Sequence, residues 1–141
     1  MRVDPVLLAA SAAFAGACAF GSVVAVREDV PGEPFGIAIP LTVHSGIVVG
    51  WGAGVAAPWP MPVAALIAGT TAGRAERSAA PGYVSAGLGI ACVAGTFIEP
   101  VTYRRRSWTP AIRAAIAVNL AASAALAAAG WRHATLGQRP C

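Results

Sequence analysis

The spacing of charge along this chain leaves it few folds to adopt. From Pro5 to Val26 there is no charged residue, and from Phe35 to Gly73 there is again none. Two later apolar runs, about 82–103 and 110–131, each hold a single charge close to one end, Glu99 and Arg113. A helix rises about 1.5 Å per residue, so roughly 20 apolar residues cross a hydrocarbon core about 30 Å thick. The first run matches that length, and the second has room for two crossings joined by a turn. With 57% hydrophobic residues, 11% charged residues and a mean hydropathy of +0.66, the chain lies well outside the range of soluble globular domains. The fold class is all-α: a polytopic transmembrane helix bundle forming a single integral membrane domain over residues 1–141.

The polar punctuation sets the expected helices. "REDVPGEP" (Arg27–Pro34) reads as an aqueous loop, and "PWPMP" (Pro58–Pro62) as the turn inside the long uncharged run, because closely spaced prolines cannot continue a helix. Helices are therefore expected at about 5–26, 35–57, 60–79, 82–103 and 110–131. The third is short of apolar residues and would borrow the stretch around Arg74 and Arg77, both snorkelling outward. Four spans plus a re-entrant segment is the alternative. A cleaved signal peptide fits 5–26 less well, since such peptides have a shorter apolar region behind a basic start, and Asp4 offsets Arg2 here. Thr109 and Pro110 have the form of an N-cap followed by the first helical residue.

Counting arginines near helix ends gives equal numbers on the two sides of a five-span model. The acidic residues of the 27–34 loop tip the reading toward an N-terminus inside and Cys141 outside. All ten basic residues are arginine and alanine is abundant, which suggests a bacterial origin and the cytoplasmic membrane as the location. The net charge of +4 resides in these short gaps, so no nucleic-acid partner is expected. Cys18, Cys92 and Cys141 are odd in number and form no CxxC, which supports neither a disulfide framework nor a zinc site. No metal and no cofactor are expected.

Few polar residues lie within the apolar runs, and these carry whatever chemistry the chain has. Glu99 and His44 are the candidate catalytic residues, each as a proton donor or acceptor on its own, since in the five-span model they lie at different depths and are not expected to meet. Glu99 shares a helical face with Cys92, Gly95 and Thr96, while Pro100 lacks an N–H and so leaves the Thr96 carbonyl as a free acceptor. This makes a polar notch. Thr96, Cys92, Asn119 and Trp51 are the candidate ligand-binding residues, and Asn119, with Ser123 one turn on, also suits interhelical hydrogen bonding. In an antiparallel hairpin centred on Arg106, Glu99 and Arg113 fall at matching depth and are expected to form an ion pair.

Gly46, Gly50 and Gly54 make a GxxxGxxxG stripe on the second expected helix, and Gly87, Ala91 and Gly95 repeat the spacing on the fourth. These stripes suit a homo-oligomer or close internal packing. With no nucleophile, phosphate-loop or HExxH motif, the favoured function is a non-catalytic membrane subunit or helix-packing module with the lipid bilayer and a membrane protein as partners. The alternatives are an isomerase- or cyclase-type enzyme acting on a lipophilic substrate through Glu99 or His44, and a small oligomeric transporter.

Overall fold

Asp4 starts the first helix. Its Oδ1 accepts hydrogen bonds from the backbone N–H groups of Val6 at 3.0 Å and Leu7 at 3.2 Å, while Pro5 occupies the first helical position. The structure, a computed structural model, describes residues 4–72, 78–104, 106 and 108–137. Helix α1 (Pro5–Arg27) has 23 residues, a length of about 34 Å. Among the described residues the chain is entirely helix and loop, with α2 (Val43–Val49), α3 (Pro60–Thr71), α4 (Ala80–Ile98) and α5 (Pro110–Gly137) following in order. Three helices, α1, α4 and α5, are long and apolar enough to cross a membrane, while α3 is apolar but has only 12 residues.

The count of five spans is not reached, because the stretch 35–57 is not one helix. Phe35 has φ +56° and lies in a 3-10 turn over Pro34–Gly36, after which the chain is irregular and bends at Pro40, where the Leu41 N–H donates to the Ile39 carbonyl at 2.7 Å. Helix α2 begins only when Thr42 caps it, its Oγ1 accepting from the Ser45 N–H at 3.2 Å. It ends seven residues later at Gly50, whose left-handed φ of +110° lets the Trp51 and Gly52 N–H groups turn back to the Gly46 carbonyl. Ala53 and Ala56 then exchange backbone hydrogen bonds of 2.9 and 3.0 Å in a tight turn. The glycine spacing that suggests a helical stripe is used here to bend the backbone.

The other boundaries follow from proline. Glu99 precedes Pro100 and is extended, with ψ 125°, so α4 stops at Ile98 and not at residue 103. A 3-10 turn at Pro100–Thr102 leads toward α5, which Thr109 caps through Oγ1 to the Ile112 N–H at 3.2 Å. Helix α5 continues past Trp131 to Gly137. Helix α3 ends at Thr71; residues 73–77, on which the expected snorkelling of Arg74 and Arg77 falls, lie outside the described residues, as does Cys141.

Helix α5 packs on α1 and on α4, while α3 packs on α1 and α4. The contact of α4 with α5 is close enough that a Cβ on Gly89 would lie 2.5 Å from the Ser123 carbonyl oxygen. At one end of the molecule Asp4 meets α5, with His133 Nδ1 at 2.8 Å and Arg132 Nη1 at 3.3 Å, and His133 Nε2 lies 3.3 Å from the Ser78 carbonyl. Helix α1 therefore begins where α5 ends. Helix α3 runs back toward that end: Met61, in its first turn, touches Cys92 of α4 with 3.8 Å between the sulfur atoms, and Gly69 lies against Leu8 and Ser11 of α1.

Above α3 the remaining space is filled by irregular chain. The 53–56 turn descends between α1 and α5 until the Val55 carbonyl meets Gly21, where a Cβ would collide with it. Gly21 lies six residues, about 9 Å, from the end of α1. At that depth a backbone carbonyl needs a partner from the protein. Asn119 of α5 supplies it, its Nδ2 donating to Val55 O at 2.8 Å and to Ala115 O at 3.0 Å.

Candidate functional site

The packing of α4 against α5, together with the descending loop, leaves a cavity of about 930 Å³. Cys92, Thr96 and Glu99 line it from α4 and the residue that follows, and Ile116, Asn119 and Ser123 line it from α5. Both sets fall at i, i+3 or i+4, and i+7, so each occupies a single helical face. Phe14 of α1, Met61 of α3 and the segments 34–41 and 50–58 complete the wall. Gly95 keeps the α4 side open, for a Cβ there would meet nothing within 4 Å.

Glu99 sits at the break after α4 and is buried, 9% exposed. Its Oε2 accepts the backbone N–H of Glu33 at 2.9 Å. Burial pushes its carboxyl above the ordinary glutamate range; the Glu33 N–H opposes this and the nearby Glu33 charge adds to it. Glu33 in turn pairs with Arg104, whose Nη1 is 3.2 Å from its Oε2. The first arginine of the basic run thus serves the 27–34 loop, and the loop serves Glu99.

This corrects the expected Glu99–Arg113 pair. Arg113 is exposed on α5 and forms no ion pair with Glu99 among the described residues. Matching depth requires α4 to stay helical to residue 103, whereas its early end before Pro100 turns Glu99 toward the 27–34 loop.

The free acceptor expected at Thr96 exists and is filled: Thr102 Oγ1 donates to the Thr96 carbonyl at 2.6 Å. Thr96 Oγ1 itself donates to the Cys92 carbonyl at 2.9 Å. Of the candidate residues, Glu99, Thr96, Cys92, Asn119 and Trp51 all line the one cavity, whereas His44 is exposed on α2 and does not. Glu33, Phe14 and the 34–41 segment were not foreseen. Glu33 lies 66 residues from Glu99 in sequence, and nothing local marks the pairing. Gly46 and Gly54, from the stripe expected to serve an oligomer or close internal packing, make close approaches inside the chain, to the Gly52 carbonyl and to Val30 and Pro31. Among the described residues no three His, Cys, Asp or Glu side chains converge as a metal site requires.

Comparison with family models, curated proteins and solved structures finds no match to this chain, so the reading of the site rests on its own geometry.

Proposed function

We propose that this protein is a membrane protein whose chain crosses the bilayer four times, the second crossing being broken, and that it binds a lipid-soluble small molecule within its helices. Four crossings follow from direction. Helix α1 begins where α5 ends, α4 packs beside α5 as the other member of a hairpin, and the chain must return from the end of α1 to the start of α4. The loop 28–59 with α3 makes that return. Exposed Tyr83 and Trp131, in edge contact with centroids 6.4 Å apart, and exposed Tyr103 beyond the opposite end of α4, suit the two interfaces.

The observation that carries the ligand-binding reading is the cavity of about 930 Å³ with Glu99, Thr96 and Asn119 on an otherwise apolar wall. Drug-sized ligand sites occupy roughly 300–1,000 Å³ and combine apolar walls with a few placed polar groups. A helix-packing module, the function favoured from the sequence, has no use for such a space, since close packing is its purpose. Irregular backbone lining a cavity at membrane depth also supports a transport variant of the same reading, because broken spans commonly line substrate paths. An acid–base enzyme using Glu99 with His44 is disfavoured by the position of His44 on α2, away from the cavity wall.

Native mass spectrometry of the full chain, released from nanodiscs, tests the reading. The expected result is a lipophilic small molecule, retained by the wild type and lost from Gly95→Leu, which narrows the cavity from its open side. Bare polypeptide in both, with no uptake of added lipophilic probes, would sink it. Probe flux in sealed vesicles separates a carrier from a simple binder.

A further inference from the structure

The polar wall of the cavity is short of hydrogen-bond donors. Asn119 spends both Nδ2 hydrogens on Val55 O and Ala115 O, and the Thr96 hydroxyl gives its proton to Cys92 O. Ser123 lies beside the Cys92 thiol. What remains on the α4–α5 wall is a set of acceptors, Asn119 Oδ1, the lone pairs of Thr96 Oγ1 and Glu99 Oε1, while the indole N–H of Trp51 is a donor on an exposed residue of the opposite wall. None of these acceptors receives a hydrogen bond among the described residues. Among the described residues no arginine or histidine lines the cavity, and Glu99 is its one carboxylate. Phe14, Phe35 and Trp51 add aromatic rings to the wall.

Acceptors on an apolar cavity wall call for donors, and a carboxylate in an apolar surround calls for a cation more strongly than for a neutral hydroxyl. An anionic head group would meet Glu99 with no positive charge to offset it.

We infer that the cavity is selective for lipophilic amines, with Glu99 as the counter-ion to a single protonatable nitrogen and Thr96 and Asn119 accepting its remaining hydrogens. This rests on the reading of the cavity as a ligand site. Either protonation state of Glu99 leads to the same complex. An ionised carboxylate receives an ammonium directly, and a protonated one passes the proton from its carboxyl oxygen to the nitrogen of a neutral amine.

The test uses the full chain in zwitterionic nanodiscs with decylamine, decanol and decanoic acid, which share one apolar tail and differ in the head. Occupancy is read by native mass spectrometry for wild type, Glu99→Gln and Gly95→Leu. The amine is expected to bind about tenfold or more tightly than the acid in wild type, and by about twofold or less in Glu99→Gln. Glu99→Gln keeps a carbonyl oxygen for the Glu33 N–H, and unchanged thermal stability verifies that the variant is folded. If the acid matches the amine in wild type, or Glu99→Gln retains the discrimination while Gly95→Leu abolishes uptake, the cavity is a ligand site of another class and this inference falls. If no probe binds wild type better than Gly95→Leu, the ligand-site reading fails and the inference with it.

Discussion

The Asn119 side chain donates a 2.8 Å hydrogen bond to the Val55 carbonyl, across 64 residues of sequence. It ties the middle of α5 to a loop that has no helix of its own at that depth. Without this bond the 53–56 turn would present an unpaired carbonyl inside the apolar layer, where an unsatisfied backbone group is costly. The bond also orients the amide so that its oxygen is left over for the cavity, which makes the support of the loop and the shaping of the site one event.

Replacing Asn119 by leucine is therefore expected to destabilise the protein by about 1–3 kcal/mol, the cost of a buried acceptor left alone. Interhelical side-chain bonds in membranes average only about 0.6 kcal/mol, because the unfolded chain in the membrane also finds partners for such groups. Val55 lies in irregular backbone, and no other donor reaches its carbonyl among the described residues. Thermal unfolding in detergent checks this; an Asn119→Leu protein melting with wild type would show that the loop does not depend on the bond.

Two glycines of α4 should respond with opposite signs. A Cβ at Gly89 would lie 2.5 Å from Ser123 O and 2.6 Å from Ala127 N of α5, so Gly89→Ala must push two backbones apart. Its expected cost is about 1–3 kcal/mol. At Gly87 a Cβ meets nothing within 4 Å, and Gly87→Ala gains up to about 1 kcal/mol of helix propensity. The same melting experiment on both variants reads the contrast. Equal effects would mean that the α4–α5 contact has room for a methyl group at Gly89.

The long helices were legible because their signals are local. Charge-free length, Asp4 and Pro5 at the start of α1, and Thr109 and Pro110 at the start of α5 each act within a turn of the residue they govern. The face shared by Cys92, Thr96 and Glu99 was legible for the same reason, helical spacing being fixed once the helix is. The stretch 35–57 misled because its apolar content fits a span, while its course depends on Phe35, Gly50 and Gly52 taking positive φ and on a partner in α5. The Glu99 partner misled in the same way. Matching depth in a hairpin is a local argument, and the 27–34 loop, arriving from far along the chain, reaches the carboxylate instead.

Direction of the helices carries a prediction about sidedness. Since Asp4 touches Arg132 and His133, the start of α1 and the end of α5 should face the same side of the bilayer, in contrast to a five-span chain with its termini opposed. A reporter fused ahead of Met1 and the same reporter fused after Cys141 should give identical accessibility in intact cells. Opposite results would require an odd number of crossings and would break the four-crossing reading.

The contact that joins these ends should itself be sensitive to acid. Burial opposes ionisation of Asp4, but hydrogen bonds from His133, Leu7 and Val6 together with the charge of Arg132 outweigh it and hold the carboxyl below its ordinary value of 3.8. A folded-state value below the unfolded one means that ionised Asp4 contributes stability at pH above about 3.8, and that this contribution disappears as pH falls through the folded value. Thermal stability in detergent is thus expected to hold steady through mildly acidic pH and to decline below it. Asp4→Asn keeps an oxygen for the Val6 and Leu7 N–H groups while removing the charge, so it should lower stability at neutral pH and flatten the acid decline. Asp4→Ala removes the cap as well and should cost about 1 kcal/mol more. Arg132→Gln should matter less than either, since its guanidinium is half exposed and such pairs contribute little. If Asp4→Asn retained the wild-type acid profile, the decline would have to come from another carboxylate, and Glu99, whose shift runs in the opposite direction, could not supply it.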